Sequence, residues 1–154
     1  MGEVGIIAPG HRVELINGEI IEMSPINSLH AGTVKNLNRL LSRMLGDDLI
    51  LSIQDPVELD HHSEPEPDLA ILKYRSDLYT QSHPKASDVS LIIEVADSTL
   101  EKDQKIKLPL YAAADIQEVW IINLQDQQIE VSTEPSKEGY RNCHIYRSGD
   151  SIHN

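Results

Sequence analysis

Apolar and polar residues alternate imperfectly through "VELINGEIIEM" at 13–23, and the alternation turns over at Asn17-Gly18. That dipeptide tolerates the positive φ angles of a tight turn, so the pattern predicts a hairpin of two short antiparallel strands. Pro25 and Asn27-Ser28 break the pattern. Leu29, Val34, Leu37, Leu40, Leu41, Met44 and Leu45 then recur at helical spacing, with Lys35, Arg39 and Arg43 on other faces. Asn27 or Ser28 suits the N-cap of this helix and Gly46 its end.

Two strands are expected next, "LILSIQDPVEL" at 49–59, interrupted near Asp55-Pro56, and "DLAIL" at 68–72. The segment 60–67 reads as a polar loop, exposed like the acidic, Pro-containing segment 134–138, and 73–88 as a surface connection with one short helical turn. "VSLIIEV" at 89–95 is a strongly apolar strand interrupted by Glu94. Residues 99–114 read as a helix capped by Ser98 or Thr99, with Ile106, Leu110 and Ala113 or Ala114 towards the core and a disturbance at Pro109. "EVWIINL" at 118–124, "QIEVST" at 128–133 and "CHIYR" at 143–147 complete the strands. A helix between the strands at 89–95 and 118–124 is the crossover that parallel pairing needs, so the expected fold is α/β, a central mixed sheet flanked by helices.

Composition refines this picture in three ways. A chain of 154 residues with 40% hydrophobic residues suits one domain, and with no Phe and one Trp the interior must be aliphatic. The formal net charge of -12 opposes non-specific binding of nucleic acid, although carboxylates neutralised by a divalent metal can still accept phosphate. The single Cys143 allows neither an intrachain disulfide nor a thiolate zinc cluster, and no signal peptide or membrane-length apolar run is visible, which suits a soluble protein of a reducing cytoplasm; the localisation expected is cytoplasmic and bacterial.

"EPEPDLAIL" at 64–72 places Asp68 where a buried strand should begin. Asp68 and Glu94 stand at strand positions that neighbouring strands could bring together across 25 intervening residues. A buried carboxylate without a partner costs several kcal/mol, and a magnesium or manganese ion shared by both would remove that cost. Exposed strand ends, or pairing with lysines, would equally explain them. Asp103 and Lys107 share a helical face, either as an exposed ion pair or with Lys107 reaching back over the two carboxylates. Lys102 and Lys105 are offset on the wheel and suit solvent. His30 either satisfies local backbone at the helix entrance or faces a cleft. His61-His62 suit an exposed loop. Gly2, Gly5 and Gly10 lack the Lys-Ser/Thr of a phosphate loop, and Ser28, Ser63 and Ser98 lack a nucleophile elbow.

Pro67-Asp68, followed by Glu94-Val95-Ala96, resembles the Pro-Asp...Asp/Glu-x-Lys nuclease superfamily with the usual lysine absent. The run "IIEVADSTLEKDQKIKLPLYAAADIQEVWIINL" at 92–124 resembles the Uma-two-type restriction endonuclease family, with Glu94, Ser98, Thr99, Asp103, Lys107 and Tyr111 on its signature positions. "ELINGEIIEMSP" at 14–25 and His30 resemble its opening. The resemblance implies a restriction-endonuclease-like core at 11–147, with an N-terminal extension at 1–10 and a C-terminal tail at 148–154. It implies Mg2+, with Mn2+ as a substitute, held by Asp68, Glu94 and the backbone carbonyl of Val95. Lys107 would replace the lysine that Ala96 cannot provide, Asp103 would support Lys107, and His30 would face the cleft. DNA would be the substrate, a homodimer the assembly, and neither membrane nor organic cofactor is implied. The competing expectation, motivated by the acidic charge, is a catalytically inactive nuclease-fold scaffold or DNA-associated interaction protein.

Overall fold

A computed structural model describes residues 12–23, 26–97 and 99–147. The expectations placed on Ser98, Pro25, the glycines at 2, 5 and 10, and the two terminal segments lie wholly or largely outside these residues. The hairpin forms as β1 (Val13–Ile16) and β2 (Glu19–Glu22), turning through Asn17 at a φ of 50° and Gly18 at 81°. Both turn residues thus occupy the left-handed region that a two-residue hairpin of this kind requires.

Helix α1 (Ser28–Met44) starts at Asn27, whose side chain accepts the His30 backbone N–H at 2.8 Å. It ends on Leu45 in extended conformation, with the Leu45 N–H bonded to the Leu41 carbonyl. Gly46 does not have a positive φ, so the helix ends without the left-handed glycine cap expected of it.

Six strands form one mixed sheet in chain order: β3 (Leu49–Ile53), β4 (Leu69–Lys73), β5 (Val89–Ala96), β6 (Glu118–Asn123), β7 (Gln128–Ser136) and β8 (Gly139–Arg147). Only β5 and β6 are parallel, and the helical segment between them is their crossover. A short helical turn at Ala86–Asp88 leads into β5. The alternation along β5 sorts the core onto both faces of the sheet. Leu91, Ile93 and Val95 join Leu69 and Ile71 beneath Val34, Leu37 and Leu41 of α1, whereas Ile92 packs with Ala70, Leu72, Val119 and Tyr111 on the opposite face. Glu94 has the parity of Ile92 and therefore belongs to that second face.

The crossover is one continuous helical stretch, α2 at residues 100–113, built from Leu100–Lys102, a π-helical segment Asp103–Lys107, and Leu108–Ala113. The Leu108 N–H bonds the Asp103 carbonyl, five residues back, and Pro109, which has no N–H to give, sits in the first turn of the last segment. This widened turn overturns part of the expected register, although Ala114 packs against the core. Ile106 is 43% exposed and Ala113 is also exposed, while Asp103, Lys107, Tyr111 and Ala112 are buried.

The segment 60–67 also departs from its expected exposure: Ser63, Pro65 and Pro67 are buried. The hairpin explains this. The Glu64 N–H donates to the Leu15 carbonyl at 2.7 Å, the Gly18 N–H to the His62 carbonyl at 2.8 Å, and the Asn17 N–H to Ser63 Oγ at 3.0 Å. An irregular backbone can be buried when another edge takes up its polar groups. In 134–138, by contrast, Glu134, Lys137 and Glu138 are exposed as expected, and β7 runs to Ser136 before turning tightly into β8 at Gly139. Among the described residues, no helix is long and apolar enough to cross a membrane.

Candidate active site

The site forms at the end of the sheet where β4 begins and β5 finishes, because antiparallel pairing sets Leu69 opposite Ile93. The Asp68 N–H donates to Glu94 Oε1 at 3.2 Å, and the Val95 N–H donates to Asp68 Oδ2 at 2.8 Å. In an extended strand the N–H and C=O of one residue face the same neighbour, so the Val95 carbonyl lies on the Asp68 side of β5. Both carboxylates are buried. Asp68 is thus tied into the strand pair that follows it, which accounts for an acid at the head of an apolar strand.

From the other face of the sheet, α1 brings His30 to Asp68, with Nε2 3.2 Å from Oδ2. The Asn27 side chain, not the imidazole, caps the helix, which leaves the ring directed at the carboxylate. Its Nδ1 is buried without a hydrogen-bond partner among the described residues. The hydrogen bond to Asp68 raises the His30 pKa above its ordinary value, and partial burial opposes the rise. Asn27 also donates to Asp97 Oδ2 at 3.1 Å, joining the start of α1 to the loop after β5.

Helix α2 closes the opposite wall. Lys107 Nζ lies directly against Glu94 Oε2 and donates to Glu14 Oε1 at 2.8 Å, while the Tyr111 hydroxyl donates to Glu94 Oε2 at 2.7 Å. Glu14 further accepts the Glu66 backbone N–H at 2.9 Å and Lys102 Nζ at 3.1 Å. Lys107 is therefore gripped between two carboxylates from β1 and β5. Asp103 is buried beside it but accepts the Thr99 hydroxyl at 3.3 Å, and no ion pair joins it to Lys107. Its support of the lysine is thus electrostatic and through space, and the exposed Asp103–Lys107 pair does not occur. Lys105 pairs with Glu101 in solvent, and His61 and His62 are exposed.

Four carboxylates, Glu14, Asp68, Glu94 and Asp103, converge on one fully buried ammonium and the partly exposed Lys102. Burial pushes Glu94 up to about 8; Lys107 pulls against the shift, while Asp103, Asp68 and Glu14 add to it. Burial likewise raises Asp103 to about 6. Burial alone would lower Lys107, yet Glu94, Glu14 and Asp103 outweigh it and hold the ammonium protonated. For Glu14, burial is overcome by Lys107, the Glu66 N–H and Lys102, and its pKa is lowered. The site carries more buried negative charge than its lysines neutralise.

That surplus, and the hard oxygen chemistry of Asp68 and Glu94, suit a divalent cation of the magnesium type, which binds through one or two carboxylates and keeps waters or phosphate on its other positions. Among the described residues no group of three His, Cys, Asp or Glu side chains is arranged to hold a metal ion. The two carboxylates thus fit such an ion only as part of a coordination sphere, completed from outside the side chains.

The structure brings together Asp68, Glu94, Val95, His30, Lys107 and Asp103. Two partners were not singled out for the site from the sequence. Glu14 has a local signal, since alternation along β1 puts it on the same buried face as Ile16. Lys102, assigned to solvent, is drawn inward by Glu14.

The family model described as "Uma2: Putative restriction endonuclease" matches residues 4–154. The chain belongs to the Uma2 family. Among solved structures, the fold of this Uma2 protein is similar to a putative nuclease belonging to DUF820 from Anabaena variabilis ATCC 29413. The TM-score is 0.65 at 14% identity, over 92% of this chain and 80% of the other. The shared architecture is restriction-endonuclease-like. No curated protein matches the chain.

Proposed function

We propose that this protein is a metal-dependent endonuclease that hydrolyses DNA phosphodiester bonds. The observation that carries the reading is the meeting of Asp68 and Glu94 at one sheet end with a buried lysine from the crossover helix against them. Asp68, Glu94 and the Val95 carbonyl would hold Mg2+ or Mn2+. When bound, the ion supplies a Lewis acid for the phosphoryl oxygen and acidifies water. Lys107, anchored by Glu14 and lying against Glu94, would orient the attacking water and offset developing negative charge. Asp103 adds to Glu94 and Glu14 in keeping Lys107 protonated, and His30 fixes the Asp68 carboxylate through Oδ2.

Isothermal calorimetry with Mn2+ on wild type, Asp68→Ala and Glu94→Ala, paired with duplex cleavage assays, tests the assignment. Wild type is expected to bind and cleave, and each folded variant to lose both. Unchanged affinity in both variants would sink the metal assignment. One observation favours the alternative of an inactive nuclease-fold scaffold: Lys107, Tyr111 and the Asp68 N–H already occupy both Glu94 oxygens. Metal binding without cleavage of any duplex or single strand would select that alternative.

A duplex presents symmetry-related phosphates on its two strands, and one catalytic centre per chain reaches both most simply as a two-fold dimer. Light scattering over a range of protein concentrations should therefore show a homodimer. Monomer alone, with and without DNA, would overturn this expectation.

A further inference from the structure

We propose that the outer face of α1 is a track for the sugar-phosphate backbone of a DNA duplex leaving the cleft, held by Lys35, Arg39 and Arg43. The proposal rests on the nuclease reading above for the identity of the polyanion. The three cations recur every four residues, are exposed, and lie on the side of α1 away from the Val34, Leu37 and Leu41 stripe. Lys35 and Arg43 are separated by about 12 Å of helix rise, roughly three to four base-pair steps along a duplex axis.

Two further features distinguish this stripe from ordinary surface charge. Residues 28–44 contain no Asp or Glu, in a chain whose formal net charge is -12. None of the three cations forms an ion pair with a described residue; Lys73, Lys85, Lys137 and Arg141 are unpaired too, but they are scattered over β4, the turn before β5 and the β7–β8 hairpin, whereas these three stand in one row on one helix. The surface is thus repulsive to DNA in general and attractive along one line. The helix that carries this line starts at the cleft, because Asn27 and His30 tie the start of α1 to Asp97 and Asp68. Leu29, Leu40 and Met44 are exposed on a flank about 100° around the same helix. A lipid surface or a second copy of the chain would engage that apolar flank, whereas the cationic line matches evenly spaced phosphates.

The test compares the full chain with a Lys35→Gln/Arg39→Gln/Arg43→Gln variant and a charge-matched Lys85→Gln/Lys137→Gln/Arg141→Gln control. Binding to a fluorescent random-sequence duplex is read by anisotropy across salt concentrations without divalent metal, and cleavage is assayed separately with Mn2+. The stripe variant should lower the slope of log affinity against log salt by about 2–3 and weaken binding about tenfold or more, with the control unchanged. A wild-type slope in the stripe variant, an equal loss in the control, or no duplex binding by wild type would overturn the proposal. So would loss of binding to phosphatidylserine vesicles with duplex binding intact. Stripe-dependent binding without cleavage would uphold the track and reject the nuclease reading instead.

Discussion

Lys107→Met should lower folding stability by about 3–5 kcal/mol at neutral pH, the range expected when one member of a buried ion pair is removed and its partners stay. The side chain is 3% exposed, and it separates Glu14, which is fully buried, from Glu94. Methionine fills most of the same space, so the loss is electrostatic: the buried Glu14 carboxylate would keep its charge without the ammonium beside it, next to a Glu94 carboxyl already pushed up to about 8. Urea unfolding of wild type and variant at several pH values gives the measurement. The deficit should shrink in acid as the abandoned carboxylates take up protons, and a deficit below about 1 kcal/mol at neutral pH would show that the pairing is not structural. Adding Glu14→Gln to Lys107→Met should recover part of the deficit, because the double variant buries one charge fewer. Metal-dependent cleavage, compared at matched folded concentrations, should fall about 10²–10³-fold for Lys107→Met, the size of effect seen when one preorganised stabilising group is removed. Lys105→Met, which breaks only the exposed pair with Glu101, should change either quantity little. Cleavage retained by the Lys107 variant and lost by the Lys105 variant would move the lysine assignment.

The hairpin, the strands and both helices were legible because each has a local signal: Asn17-Gly18 for the turn, Asn27 at the head of α1, and apolar runs for β4 and β5. The face that α2 presents was not legible. Periodicity rewards apolar residues and assumes a constant 100° step, which selected Ile106, Leu110 and Ala113 or Ala114, of which Ala114 does pack against the core. The π segment at Asp103–Lys107 breaks that step and turns Asp103, Lys107 and Tyr111 inward, where Lys107 and Tyr111 meet acids on strands and Asp103 meets the Thr99 hydroxyl. Burial of Lys107 is decided by Glu14, 93 positions away in sequence, and no window of local sequence contains that contact. Asp68 was conspicuous for the opposite reason, since an acid in front of Leu69-Ala70-Ile71-Leu72 conflicts with local expectation. Such conflicts between local pattern and global fold are where functional sites are found.

Without divalent metal, stability should fall as pH rises from about 5 to 8, and Glu94→Gln should flatten much of that slope. A carboxyl raised above its unfolded value binds more protons in the native state than in the unfolded chain. Its contribution is complete below the unfolded value of 4.5 and is lost as pH climbs through the folded value of about 8. Asp103, raised to about 6, acts in the same direction over the lower part of this window. His30, whose pKa is also raised, adds stability below its unfolded 6.5 that is lost above it, which is why the Glu94 variant is needed to isolate one group. Glu14, lowered from 4.5, gives stability that disappears only at more acid pH, and Lys107 stays protonated throughout. Mg2+ should counteract the slope, stabilising wild type more at pH 8 than at pH 5, because the ion binds the ionised carboxylate and must displace a proton in acid. Urea unfolding of wild type and Glu94→Gln, with and without Mg2+, reads both effects without any nuclease assay. A wild-type stability that rises between pH 5 and 8 in the absence of metal, or a Mg2+ effect equally large in Glu94→Gln, would remove Glu94 as the site where excess buried negative charge and cation binding meet.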